Sequence, residues 1–206
     1  MKVAVSFIKS KYNEKETIDI INQTSCDFLH VDIMDGVFTK NKNYDFEDIE
    51  LFLKNNNKPL DVHLMCNNPK EYIDEYLKLN PYNISFHIEA VNNPEKLIDY
   101  IHDHNIKCGL AINPDTDIKE IKPYLDKIDT VLVMSVIPGK GGQKFIIDVV
   151  DKINELSNLK GNFVIEVDGG VNNETIELIQ SADIVVSGSY ICEGPDYEEK
   201  INKLKR

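Results

Sequence analysis

Two histidines and two aspartates stand at the ends of short apolar runs, spaced so that they could act together. His30 and Asp32 lie two residues apart in Phe28-Leu29-His30-Val31-Asp32-Ile33-Met34. His63 sits in Asp61-Val62-His63-Leu64-Met65, and Asp168 closes Val164-Ile165-Glu166-Val167-Asp168. Each run reads as a buried strand, on which successive side chains point to opposite faces. His30, Asp32 and Met34 therefore share one face, and Asp61, His63 and Met65 share the corresponding face of the next strand. An uncompensated buried polar group costs roughly 2–7 kcal/mol, so strands built only for packing do not carry such faces. Two imidazole nitrogens and two carboxylate oxygens at converging strand ends suit one divalent ion: zinc, iron(II), manganese or cobalt.

Glycine-rich turns follow runs of the same kind. Pro138-Gly139-Lys140-Gly141-Gly142-Gln143, Gly169-Gly170 and Gly188-Ser189 each trail an apolar segment. Glycine lets the backbone approach a phosphate closely, and three such turns favour a phosphorylated ligand over simple turn-shaping. Met34, Met65 and Met134 also end strand-like runs. They either fill core, as methionine usually does, or form a polarisable apolar collar above a reacting carbon. Ser6 closes the first run and either hydrogen-bonds a ligand hydroxyl or caps the strand. His87 and Glu89 read as rim residues in preference to partners behind the ligand histidines, and His102 and His104 as solvated residues of a polar helix.

The elements that must position these groups alternate along the chain. Strands are expected over 3–7, 28–34, 60–65, 84–87, 107–112, 130–135, 163–168 and 184–187. Helical patterns fall over 14–23, 44–55, 69–79, 94–105, 118–125, 145–156, 173–180 and 196–205. Asn68-Pro69, Asn93-Pro94 and Asn172-Asn173 supply helix-start chemistry. Eight strands each followed by a helix predict a parallel sheet. No GxGxxG follows the first strand, which argues against an open dinucleotide-binding sheet. Polar residues at the carboxyl ends of many strands are where a (β/α)8 TIM barrel builds its active site. The expectation is an α/β chain forming one (β/α)8 barrel domain over 1–206, since no linker or composition shift divides it.

Composition narrows the partners. Apolar residues make up 42% of the 206, enough for a core of that size. A net charge of −12 argues against nucleic acid and anionic membranes, which call for a basic patch. Cys26, Cys66, Cys108 and Cys192 show no CxxC spacing, which predicts free thiols and a reducing cytoplasm. The opening apolar run is too short for a secretory signal, and no segment reaches the roughly 18 apolar residues of a membrane span.

The segments HVDIMDG (30–36), DVHLM (61–65), VMSVIPGKGGQKF (133–145), EVDGGVN (166–172) and SGSYI (187–191) together resemble the ribulose-phosphate 3-epimerase family over nearly the whole chain. The resemblance implies a metal-dependent barrel of the pentose phosphate pathway that inverts carbon 3 between D-ribulose 5-phosphate and D-xylulose 5-phosphate through an enediolate. It implies metal ligands His30, Asp32, His63 and Asp168, with Asp32 and Asp168 as the acid/base pair. Substrate contacts implied by it fall on Ser6, His63, Gly139, Lys140, Gly141, Gly142, Gly169, Gly170, Gly188 and Ser189, and the assembly implied is a homo-oligomer, dimer or hexamer. The chain departs from the family pattern at Lys140, where an aromatic is common, at Val5, where proline is usual, and at the bulky Tyr190. These departures bear on substrate fit and lid behaviour more than on reaction type. The alternatives are a 3-epimerase of a hexulose 6-phosphate such as D-allulose 6-phosphate, or a non-catalytic phosphosugar-binding barrel, which would be expected to have lost one of the four site residues. Related decarboxylase barrels carry a lysine between two aspartates, and His63 occupies that place here.

Overall fold

Short apolar runs pair in chain order into a closed, all-parallel barrel in which the last strand returns to the first. The computed structural model describes residues 1–159 and 161–205. The strands are β1 (Lys2–Ser6), β2 (Phe28–Met34), β3 (Leu60–Met65), β4 (Asn83–His87), β5 (Lys107–Ile112), β6 (Thr130–Met134), β7 (Val164–Asp168) and β8 (Ile184–Ser187). Outside them lie α1 (Glu14–Ile21), α2 (Phe46–Phe52), α3 (Pro69–Tyr76), α4 (Glu95–Asp103), α5 (Val149–Asn158), α6 (Ser189–Cys192) and α7 (Tyr197–Leu204). The expected (β/α)8 barrel is the fold.

Alternation along the strands divides the interior in two. Outward residues such as Val31, Ile33, Leu64, Phe86, Val133 and Val167 join the buried faces of the helices in one apolar cluster. The helices meet it with residues three or four apart, as Val149, Ile153 and Leu156 of α5 do. Inside the barrel, apolar packing is confined to small groups. Ala4, Phe28, Ile184 and Val186 plug the end where the strands begin, and Ala111, Leu132, Met134 and Val136 line one wall. Apart from Met34 and Met65, the rest of the inner face is largely polar and buried, including His30, Asp61, His63, Asn83, Ser85, His87 and Glu166. β5 passes this crowded column with Gly109, where a Cβ would lie 2.1 Å from Ser85 Oγ.

Several connections differ from the expected helices for local reasons. The segment over 118–125 forms two 3-10 turns, Ile118–Glu120 and Lys122–Tyr124, because Pro123 has no N–H to return to a carbonyl four residues back. The segment over 173–180 shrinks to the 3-10 turn Thr175–Leu178. There the Asn172 side chain accepts the N–H groups of Glu174 and Thr175 at 2.8 and 3.0 Å, closing a turn that competes with helical bonding. α5 begins at Val149 instead of residue 145, since Ile146 donates its N–H to the Ser135 carbonyl. The four residues of α6 are too few for a periodic pattern to reveal. Among the described residues, no helix is long and apolar enough to cross a membrane.

Candidate active site

The barrel register brings the four predicted ligands to one point. β2 and β3 pair with Asp32 opposite His63 and His30 opposite Asp61, while Met134 of β6 lies opposite Asp168 of β7. One ligand atom from each of His30, Asp32, His63 and Asp168 lies within 4.8 Å of the others. Asp32 Oδ1 stands 3.4 Å from His30 Nε2 and 3.2 Å from His63 Nδ1, and Asp168 Oδ2 stands 3.6 Å from His63 Nδ1. His30 Nε2 is fully buried and makes no hydrogen bond. An orphaned ring nitrogen facing two carboxylates and a second imidazole is what a resident cation would satisfy, and this donor set fits a divalent ion held at roughly 2.0–2.2 Å.

Ser6 Oγ donates to Asp32 Oδ2 at 2.7 Å, leaving Oδ1 between the two histidines. Burial would raise the Asp32 pKa, but His30 and His63 more than reverse this and hold the carboxylate ionised, far below its usual range. Asp168 is steered through its backbone. The Ser135 hydroxyl donates to the carbonyls of Asp168 and Gly169 at 2.9 and 2.6 Å.

Each ligand histidine is backed by a different device. His30 Nδ1 lies 2.6 Å from Asp61 Oδ2, and Asn83 Nδ2 donates to Asp61 Oδ1 at 2.9 Å. Burial would lower the His30 pKa; the Asp32 and Asp61 charges outweigh it and hold the imidazole well above its usual value. Beneath them, neither carboxyl oxygen of Glu166 meets an N–H or O–H donor. Burial, then the charge of Asp61, pushes its pKa well up. His30, Asp61 and Glu166 also lie within reach of a shared ion. That grouping, however, uses His30 Nδ1, whose proton Asp61 already takes when Nε2 is the ligand.

His63 turns its other nitrogen along the inner face toward β4. Its Nε2 lies 2.9 Å from His87 Nε2, and His87 Nδ1 lies 3.0 Å from Glu89 Oε2. His87 is fully buried, with the Phe38 ring 4.6 Å away. Burial takes its pKa down to about 4 despite Glu89. Burial also acts upward on Glu89, but His87, the Asn113 N–H and the Thr116 hydroxyl bring it down to about 2. Far from being a rim residue, His87 sits directly behind His63. His102 pairs with Asp129 at 2.9 Å on the surface, and His104 Nδ1 lies 2.8 Å from the Tyr100 carbonyl.

Above the four ligands opens a cleft of about 570 Å³, its open mouth included. Ser6, Asp32 and Asp168 stand at its floor, and Met34, Met65 and Met134 line its walls. Gly139, Lys140, Gly141, Gly142, Gly169, Gly170, Gly188 and Ser189 complete it, so the glycine turns scattered through the sequence converge on one side. His30 and His63 lie beneath the lining, fully buried. Gly169 and Gly170 have φ of +116° and +64°. A Cβ on Gly170 would meet the Phe145 backbone nitrogen at 2.6 Å, so the turn after β7 packs directly under the loop after β6. Tyr190 is not part of the cleft lining, and Lys200 Nζ lies 5.5 Å from its ring. Lys9, which carries no motif, also lines the cleft, and a Cβ on Gly141 would come within 2.6 Å of its Cγ. Of the supporting residues, Asp61, Asn83 and Glu166 had a sequence signal in the period-two alternation that carries the ligands, whereas Lys9 and Ser135 had none.

Comparison with known proteins agrees with this geometry. The profile of the Ribulose-phosphate 3 epimerase family matches residues 2–192. Ribulose-phosphate 3-epimerase from Helicobacter pylori is 37% identical over 211 residues, covering 100% of this chain and 97% of the relative. The enzyme of that name from Bacillus subtilis is 35% identical over 216 residues, covering 100% and 98%. Among solved structures, 3-hexulose-6-phosphate synthase from Salmonella typhimurium superposes with a TM-score of 0.71 at 14% identity, covering 99% of this chain and 96% of the other, a likeness of fold.

Proposed function

The chain belongs to the ribulose-phosphate 3-epimerase family, and on that premise we propose that it is the isomerase that interconverts D-ribulose 5-phosphate and D-xylulose 5-phosphate at carbon 3. One observation carries the reading. Two carboxylates, Asp32 and Asp168, come from separate strands to the floor of a cleft whose opposite side is glycine-rich loop.

The hydrogen on a carbon beside a ketone is too weakly acidic for an unaided carboxylate. A divalent ion held by His30, Asp32, His63 and Asp168 supplies, when bound, Lewis-acid stabilisation of the negative charge that develops on the substrate oxygens. Asp32, kept ionised by His30 and His63 and oriented by Ser6, serves as base on one face of carbon 3. Asp168 serves on the other. Inversion needs one carboxylate to take the proton while the other returns one from the opposite side, so the pair works in complementary protonation states. The direction of reaction decides which one starts. Met34, Met65 and Met134 give the reacting carbon apolar walls that keep water from quenching it.

Backbone groups of Gly139, Gly141, Gly142, Gly169, Gly170, Gly188 and Ser189 hold the phosphate in this reading, and binding energy so far from the reacting carbon fixes its position. Lys140 and Lys9 add positive charge at the mouth of an otherwise acidic protein. A homo-oligomer in the cytoplasm accompanies the proposal; light scattering of the purified protein decides its size.

The deciding experiment is proton NMR of ribulose 5-phosphate in heavy water with zinc-, iron(II)-, manganese- or cobalt-loaded protein. Loss of the carbon-3 proton signal together with appearance of xylulose 5-phosphate is expected, and Asp168→Asn abolishes the exchange while still binding ligand. Exchange only with D-allulose 6-phosphate would move the assignment to a hexulose epimerase, and no exchange with either substrate would refute it.

A further inference from the structure

His63 has two nitrogens, and nothing in its own strand dictates which one is left bare for an ion. The hydrogen bonds behind it do. Glu89 Oε1 already accepts the Asn113 N–H at 2.8 Å and the Thr116 hydroxyl. Its Oε2 therefore stands as an acceptor toward His87 Nδ1 at 3.0 Å. A carboxylate has no proton to give, so His87 Nδ1 is the donor. His87 Nε2 lies 2.9 Å from His63 Nε2, with room for one proton between them. Without an ion, His63 Nδ1 donates to Asp32 Oδ1 at 3.2 Å, with Asp168 Oδ2 3.6 Å away. An ion seated there takes the place of that proton, so the proton between the rings stays on His63 Nε2, and His87, its own proton on Nδ1, accepts it through Nε2.

We propose that Glu89 and His87 are positioning residues that set the tautomer of His63 and thereby hold its Nδ1 ready for the ion. The inference rests on reading the four-residue cluster as the metal site. The relay is rigid along its length. His87 is sealed under Phe38, so water does not offer either ring an alternative partner. The loop that holds Glu89 is in turn pinned by Lys152 of α5, whose Nζ donates to the carbonyls of Asn113, Pro114 and Thr116 at 3.0, 2.9 and 2.6 Å. The two ligand histidines thus present different atoms for different reasons: His30 offers Nε2 because Asp61 takes its Nδ1 proton, and His63 offers Nδ1 because a neutral ring takes its Nε2 proton.

The logic predicts an inversion by an isosteric change. In Glu89→Gln the amide oxygen stays with the Asn113 and Thr116 donors, which turns the NH2 toward His87. His87 then carries its proton on Nε2 and presents a donor to His63, whose own proton is driven onto Nδ1. Binding of cobalt(II) alone, measured by competition with a chromogenic chelator, should weaken by about 10–100-fold, and the visible absorption of the cobalt form should change. His87→Gln restores the relay, its carbonyl facing His63 and its NH2 facing Glu89, and should bind cobalt like the wild type. His87→Phe should fall with Glu89→Gln.

A second readout needs no variant. In the zinc-loaded wild type, long-range proton–nitrogen spectra should show His87 with its proton on Nδ1 and a bare Nε2. A proton on His87 Nε2 overturns the proposal, as do an unchanged cobalt affinity and spectrum in Glu89→Gln or a loss in His87→Gln as large as in His87→Phe. Wild-type protein that binds neither cobalt nor zinc overturns the metal-site reading itself, and the inference falls with it.

Discussion

Replacing Asp61 by Asn tests how far a residue outside the cleft governs the site. Asp61 uses both oxygens: Oδ1 accepts from Asn83 Nδ2 at 2.9 Å and Oδ2 faces His30 Nδ1 at 2.6 Å. Asparagine has a single carbonyl oxygen, so one of these donors must face an NH2 group. A hydrogen bond to a charged partner is worth about 1.5–3 kcal/mol. Losing the residue that orients a metal-binding histidine typically costs 10–100-fold in affinity, which at ~1.4 kcal/mol per decade is about 1.4–2.8 kcal/mol. Two routes give the same figure, and the expected outcome for Asp61→Asn is a 10- to 100-fold weaker zinc affinity by chelator competition. Circular dichroism should match the wild type, because Asn is nearly the same size. Asp61 is absent from the cleft lining, so at saturating metal the KM for ribulose 5-phosphate should stay within about twofold of wild type. Unchanged zinc affinity would refute the claim that Asp61 orients His30, and a KM change at saturating metal would show that it reaches the substrate.

Removing the charges of Lys9 and Lys140 together should raise KM for the phosphorylated substrate by about three- to tenfold, since exposed ion pairs are worth no more than about 1 kcal/mol each. Turnover at saturation should hold, and the dependence of KM on salt should flatten; steady-state kinetics across ionic strength checks both. In the metal-free protein His30 and His63 both sit above the usual imidazole value, where burial is outweighed by the neighbouring carboxylates. An ion must displace those protons, so apparent metal affinity should climb as pH rises through neutrality, with proton release detectable in weakly buffered solution. Gly109→Ala should lower the urea midpoint by an amount equivalent to about 1–3 kcal/mol, because the new methyl meets Ser85 Oγ at 2.1 Å and Thr130 Cβ at 3.2 Å.

Much of the fold was legible because each strand announces itself by a short apolar run, and β2, β3, β5 and β8 fall on the expected residues. Helices were less so. Periodicity over 118–125 and 173–180 was overruled by Pro123 and by the Asn172 side chain, both local competitors for helical bonding. The four-residue cluster was legible because buried imidazoles and carboxylates at alternate positions are costly without a purpose. Its supports were not. That His30 presents Nε2 and His63 Nδ1 depends on which residues the register sets beside them, and His87 reaches His63 from a neighbouring strand 24 positions along the chain. Lys9 reaches the cleft only because β1 and β6 end on the same rim of a closed barrel.

The division between an apolar jacket outside the staves and a polar column within them has a consequence for descent. Positions that glue the vessel together and positions that decide what it does occupy alternate slots of the same strands, so mutation samples the two almost independently. Drift in the jacket is judged by fit, drift in the column by chemistry. A lineage on this chassis is therefore free to exchange one reaction for another through a handful of inward replacements, without first dismantling its walls.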